Sequence, residues 1–142
     1  LQLQDGRLQV MTADDRIVPL YLALLAFHVA HVFEEVWGRF FLVNGVFGPG
    51  WYLAANWVLV SLPLVIFHFY LRGTRWAFTL TLVYSAAMIL NGIAHNAAAL
   101  LAGKYFDGFA GGITGIGLVR TGAPLFHRVW KTVRPGRADE PA

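Results

Sequence analysis

The stretch IVPLYLALLAFHVAHVFEEVWG, residues 17–38, decides the fold. From Ile17 to Phe27 it holds no charged residue. A helix needs roughly 20 residues to cross a hydrocarbon core about 30 Å thick, and this run is long enough. Its apolar residues show no period-two alternation, so a strand is excluded. In lipid every amide must then be satisfied within its own segment, which leaves an α-helix. The second half of the stretch departs from this apolar pattern. His28, His31, Glu34 and Glu35 lie where lipid tolerates polar groups only if they satisfy one another.

The rest of the chain agrees with lipid as the solvent. Of 142 residues, 57% are hydrophobic and only 13% charged, about half the charged share of ordinary soluble domains. There is no cysteine, so disulfides and thiolate metal ligands are excluded. The pI of about 9.6 does not point to nucleic acid, because the basic residues form no helical stripe and instead flank apolar runs.

Four spans are expected, at about 17–38, 51–71, 76–101 and 109–130, within a single domain covering 14–133. Asp14 and Asp15 are candidates to cap the first, Gly48-Pro49-Gly50 turns the chain into the second, and Pro63 should kink that helix without ending it. Arg120 and several glycines make the fourth span the least apolar. In this arrangement Arg7, Arg16, Arg72, Arg75, Arg128, Lys131, Arg134 and Arg137 share one side, against Arg39 and Lys104 on the other. The positive-inside rule then places both termini in the cytoplasm, making the chain an all-α four-helix bundle of the inner (plasma) membrane. Residues 1–13 are read as a leader or cloning remnant with a native start at Met11, and residues 134–142 as a disordered tail. Gly108/Gly112 and Gly111/Gly115 have the small-xxx-small spacing that lets helices approach closely, within the bundle or across a homodimer or heteromer, although glycines at a helix start would also explain them.

At about 100° per residue, His28, His31 and Glu35 fall within roughly 60° of one another, with Glu34 about 60° beyond His31. The third span adds Asn91 and His95, four residues apart and on one face. Both helices run outward, and at 1.5 Å per residue the first set lies about 16 to 27 Å from its helix start and the second about 22 to 28 Å. The two sets coincide in depth, and this agreement points to one site. Asn56, Thr114 and Arg120 are candidates to support it, Arg120 by pairing with Glu34 or Glu35. Taken singly, these residues have plainer explanations. The two glutamates could mark a helix end among headgroups, a lone histidine is more often a hydrogen-bonded interhelical residue, and Arg120 could snorkel. His68 and His127 are expected at the interface. Together, five polar groups at one level are costly unless they partner one another.

His31-Val32-Phe33-Glu34-Glu35 resembles the signature of the HXXEE-domain family, small bacterial integral membrane proteins, and the likeness extends to Asn91–His95 and to Lys104-Tyr105-Phe106-Asp107-Gly108 with Thr114 beyond. Asp107 stands where that family carries proline in a Tyr-x-Pro-Gly turn. The resemblance covers roughly residues 17–118 and implies His31, Glu34, Glu35, Asn91 and His95 as the shared site; it brings no activity with it.

Histidine and carboxylate together suit zinc or non-haem iron. The expected ligands are His28, His31, His95 and Glu35, with Glu34 as general base or as support behind the ligands and Asn91 as an orienting hydrogen bond; without a metal, His31 with Glu34, or Glu35 with His95, would be the catalytic acid–base pair. Hydrolytic or acid–base chemistry on a membrane-associated substrate follows. The competing readings are a metal-free isomerase or epimerase, an ion- or proton-coupled transporter, and a structural subunit of a heteromer. No Gly-rich phosphate loop and no serine with a base on its own helix is present.

Overall fold

The computed structural model describes residues 3–4, 7–8, 16–37, 49–103 and 112–133. Two short strands, β1 (Leu3–Gln4) and β2 (Arg7–Leu8), pair antiparallel with Leu3 opposite Leu8. Four helices follow: α1 (Ile17–Trp37), α2 (Pro49–Leu71), α3 (Arg75–Ala102) and α4 (Gly112–Val133). The first three lie within two residues of the expected bounds. The fourth is described from Gly112, with Thr114 in its first turn, and ends three residues later than expected; residues 109–111 lie outside the described residues. Asp14, Asp15, Lys104 to Gly108 and the 134–142 tail lie outside the described residues.

Three of these helices, α1, α2 and α3, are long and apolar enough to cross a membrane, and α4 is not. The reason is compositional. The glycines of α4, with Arg120, Arg128 and Lys131, lower its mean hydropathy. Its buried stripe of Gly112, Gly115, Leu118, Thr121, Gly122, Leu125 and Val129 nonetheless packs along α3 as the most extensive contact in the molecule. The helices form a ring in which α4 touches α3 and α1, and α2 touches α3 and α1. Helices α1 and α3 are therefore diagonal, and meet through side chains at the centre.

Two close approaches hold this ring together. A Cβ on Gly92 of α3 would collide with the Gly115 carbonyl of α4, so the two backbones meet where neither has a side chain. Gly117 of α4 receives the ring of Phe27 from α1 in the same way. Of the small-residue pairs considered from the sequence, Gly115 is thus used within the bundle, while Gly108 and Gly111 lie outside the described residues. At the other end the α2–α3 turn passes through Gly73 in the left-handed region, while at the His95 end α3 stops at Gly103, also left-handed, whose N–H reaches the carbonyls of Ala99 and Leu100. Helix α2 continues through Pro63, whose carbonyl accepts a 2.8 Å hydrogen bond from the Tyr21 hydroxyl.

The buried stripe of α1 explains the location of the site. Ile17, Tyr21 and Leu24 join Tyr70, Ala77, Phe78, Leu82, Leu118, Leu125 and Val129 in one core. Further along the same stripe stand His28, His31 and Glu35. One helical face thus changes from apolar to ionisable halfway along, and the surrounding helices must satisfy its second half.

Candidate metal centre

His31, Glu35 and His95 come together between the diagonal helices, all buried, each offering a ligand atom within 4.8 Å of the others. His95 Nε2 lies 3.0 Å from Glu35 Oε1, and His31 Nε2 lies 3.4 Å from the same oxygen. The two rings meet edge to face with centroids 4.7 Å apart. Ligand atoms about 2.0–2.1 Å from a tetrahedral zinc stand ~3.4 Å from one another, so these separations suit a metal ion.

A relay running outward from this triad fixes His31. Its Nδ1 is 2.9 Å from the Thr114 hydroxyl. That hydroxyl donates to Glu34 Oε2, so its oxygen accepts the proton of His31 Nδ1. Nε2 is then the ring nitrogen turned to the centre of the bundle. It is buried, has no hydrogen-bond partner, and faces a carboxylate oxygen. Lone pair against carboxylate is repulsive unless a cation or a second proton lies between them.

Glu34 does a second job. Besides accepting from Thr114 Oγ1, it accepts the backbone N–H groups of Thr114 (3.0 Å) and Ile113 (3.3 Å). These are first-turn amides of α4, which lack carbonyl partners within their own helix. A carboxylate from α1 thus caps α4 and complements its dipole. From the sequence Glu34 was expected as a base or as support for the ligands; the structure engages it in positioning Thr114 and, through it, His31.

The remaining candidates fall at varying distances. His28 lies one turn away from the triad, with Nδ1 3.2 Å from the Tyr84 hydroxyl, and is not part of the three-residue group. Asn91 is half-buried one turn from His95 and makes no hydrogen bond with the triad among the described residues. Asn56 donates to the Tyr52 carbonyl of its own helix at 3.0 Å. Arg120 is exposed and, among the described residues, pairs with neither Glu34 nor Glu35. Its position, about 200° round the helix from Leu118, turns it away from the buried stripe.

Two functional side chains escaped the sequence reading. Tyr52, one residue into α2 from Trp51, donates its hydroxyl to Glu35 Oε2. Tyr84 holds His28. The only available signal for Tyr52 was depth, since it begins the outer end of the second span at the level of Glu35. Deeper in the bundle, Thr81, Ser85 and Thr121 turn their hydroxyls back to the carbonyls of Ala77, Thr81 and Gly117 on their own helices, at 2.7–2.8 Å. These groups are satisfied locally and form no track across the bundle.

Comparison with protein-family models, with curated proteins and with solved structures gives no match. The chemistry of the site must therefore be argued from its own atoms.

Proposed function

We propose that this is a multi-pass protein of the inner (plasma) membrane, with four helices crossing and both termini cytoplasmic, and that its bundle binds one divalent metal ion, zinc or iron, through His31, Glu35 and His95. Three apolar helices support the membrane reading, as do the exposed Arg16, Arg72, Arg75 and Lys131 gathered at the end opposite the triad. Helix α4, 22 residues long, lies against α3 along the same level and crosses with it, its exposed Arg120 snorkelling.

The observation that carries the metal reading is His31 Nε2. Its other nitrogen is held by Thr114, and Nε2, buried and without a hydrogen-bond partner, faces Glu35 Oε1 at 3.4 Å, where a bare lone pair would repel the carboxylate. A divalent cation turns that repulsion into coordination. Two histidines and one carboxylate form a recurrent catalytic zinc set, and equally the facial triad of non-haem iron. A three-ligand site leaves room for water, which a bound metal activates for hydrolytic or acid–base chemistry on a membrane-associated substrate. The likeness to HXXEE-domain proteins is kept as part of this proposal and concerns the same residues.

Metal analysis of the detergent-purified protein tests this. About one zinc or iron per chain is expected, lost in His95→Ala and in Glu35→Gln. A protein that carries no metal and takes up neither ion on addition overturns it. A second reading rests on the 3.0 Å His95–Glu35 contact and the Tyr52 hydrogen bond, which together resemble a metal-free acid–base chain. Chelator-insensitive turnover by the metal-free protein would favour that reading.

A further inference from the structure

The triad lies near one end of the bundle, and the aromatic residues mark that end. Trp37 closes α1 and is 91% exposed, and Trp51 near the start of α2 is 74% exposed. The opposite end carries Trp76 and Trp130, at 44% and 38%, beside Arg72, Arg75 and Lys131. Exposed tryptophans at both ends of apolar helices are the pattern of the two membrane interfaces. Between Ile17 and Trp37, α1 is ~31 Å long, about one hydrocarbon thickness. Glu35 is then ~3 Å and His31 ~9 Å below the Trp37 level. The triad lies where headgroup gives way to acyl chain.

The walls around the triad differ. On the α4 side the backbones of Gly92 and Gly115 are in contact, and Phe27 fills the space over Gly117. On the α2 side the triad is reached by the ring of Tyr52, itself half-buried, through its hydroxyl on Glu35. Helix α2 is also the least embedded of the three apolar helices, with 11% of an 18-residue apolar stretch buried against 33% for α1 and α3. Elements with little burial are the ones that open at least free-energy cost.

From this geometry we infer that the triad serves a membrane amphiphile at the junction of its polar head and acyl chains, which enters sideways from the bilayer past α2 with Tyr52 as the gate. The inference rests on the proposed metal binding and membrane insertion and adds the substrate class and its route. An amphiphile arriving from within the leaflet presents its polar junction at the depth of Glu35 and His31 without leaving lipid.

The test uses the full chain, loaded with cobalt(II), in phosphatidylcholine vesicles. Cobalt is withdrawn by two chelators with the same head, an iminodiacetate carried on a dialkyl lipid and the soluble methyliminodiacetate. Removing the Tyr52 ring (Tyr52→Ala, or Tyr52→Leu where the alanine variant does not hold cobalt) should speed withdrawal by the lipid chelator about tenfold, the equivalent of one buried aromatic contact. Tyr52→Phe keeps the cover but loses the hydroxyl on Glu35, so it is the reference for both chelators; relative to it, removing the ring should leave withdrawal by the soluble chelator unchanged. Equal acceleration by both chelators relative to Tyr52→Phe, or acceleration of neither, overturns lateral entry while leaving metal binding intact. A wild-type protein that binds no cobalt overturns the metal reading itself, and this inference with it.

Discussion

His31 Nδ1 lies 2.9 Å from the hydroxyl of Thr114, a residue 83 positions further along the chain. This bond sets which nitrogen of His31 faces the centre of the bundle, and it exists only because α4 starts where Glu34 can cap it. Removing the hydroxyl should therefore act on the metal rather than on the fold. Thr114→Val is expected to weaken zinc or iron affinity by about 10–100-fold, as loss of a partner behind a ligand generally does. Thr114→Ser should restore it. Competition against a chelator of known affinity reads both, and equal affinities across the three proteins would show that the relay is incidental.

Glu34 should report differently, because it serves a helix end as well as a ligand. Glu34→Ala leaves the first-turn amides of α4 without acceptor and is expected to lower stability by about 1–2 kcal/mol, the range seen for lost caps. Glu34→Gln keeps an acceptor oxygen for the Ile113 and Thr114 amides and should recover most of that loss. Thermal unfolding in detergent, with the metal removed, separates this effect from ligand positioning.

His28 distinguishes the three-residue group that the structure brings together from the four ligands expected from the sequence. Its ring is engaged by Tyr84 one turn from the triad. His28→Phe should keep one metal per chain with affinity within about threefold of wild type, whereas His31→Phe should abolish binding. Loss of metal in His28→Phe would make it a fourth ligand and require that ring to leave Tyr84.

The depth argument was legible because helical rise is fixed. His28 to Glu35 and Asn91 to His95 had to share a level once two outward-running helices were granted, and His31, Glu35 and His95 do converge. What was hidden depended on rotation between helices. Arg120 was assigned to the glutamates on depth alone, yet it lies on the wrong face of α4. Tyr52 shares the level of Glu35 as Asn56 does, but nothing in the sequence says which α2 face meets α1. Glycines suit both a turn and a close-packed helix, and for Gly115 only its meeting with Gly92 decides between them.

That meeting gives a prediction in which the same substitution has opposite effects at two places. At Gly92 an added methyl would collide with the backbone carbonyl of Gly115, and neither helix backbone can yield without separating α3 from α4. Overpacking of this kind costs ~1–3 kcal/mol or more, so Gly92→Ala should destabilise the bundle. It should also weaken metal binding, because His95 follows Gly92 by one turn and Thr114 is the neighbour of Gly115. At Gly50, in the exposed first turn of α2, an added Cβ meets nothing within 4 Å. There alanine removes backbone freedom from the unfolded chain and should stabilise by up to ~1 kcal/mol, with the metal site unchanged. Unfolding of the two variants beside wild type in one detergent gives the signs directly. Tolerance of alanine at Gly92 would mean that α3 and α4 are not in backbone contact at the level of the triad.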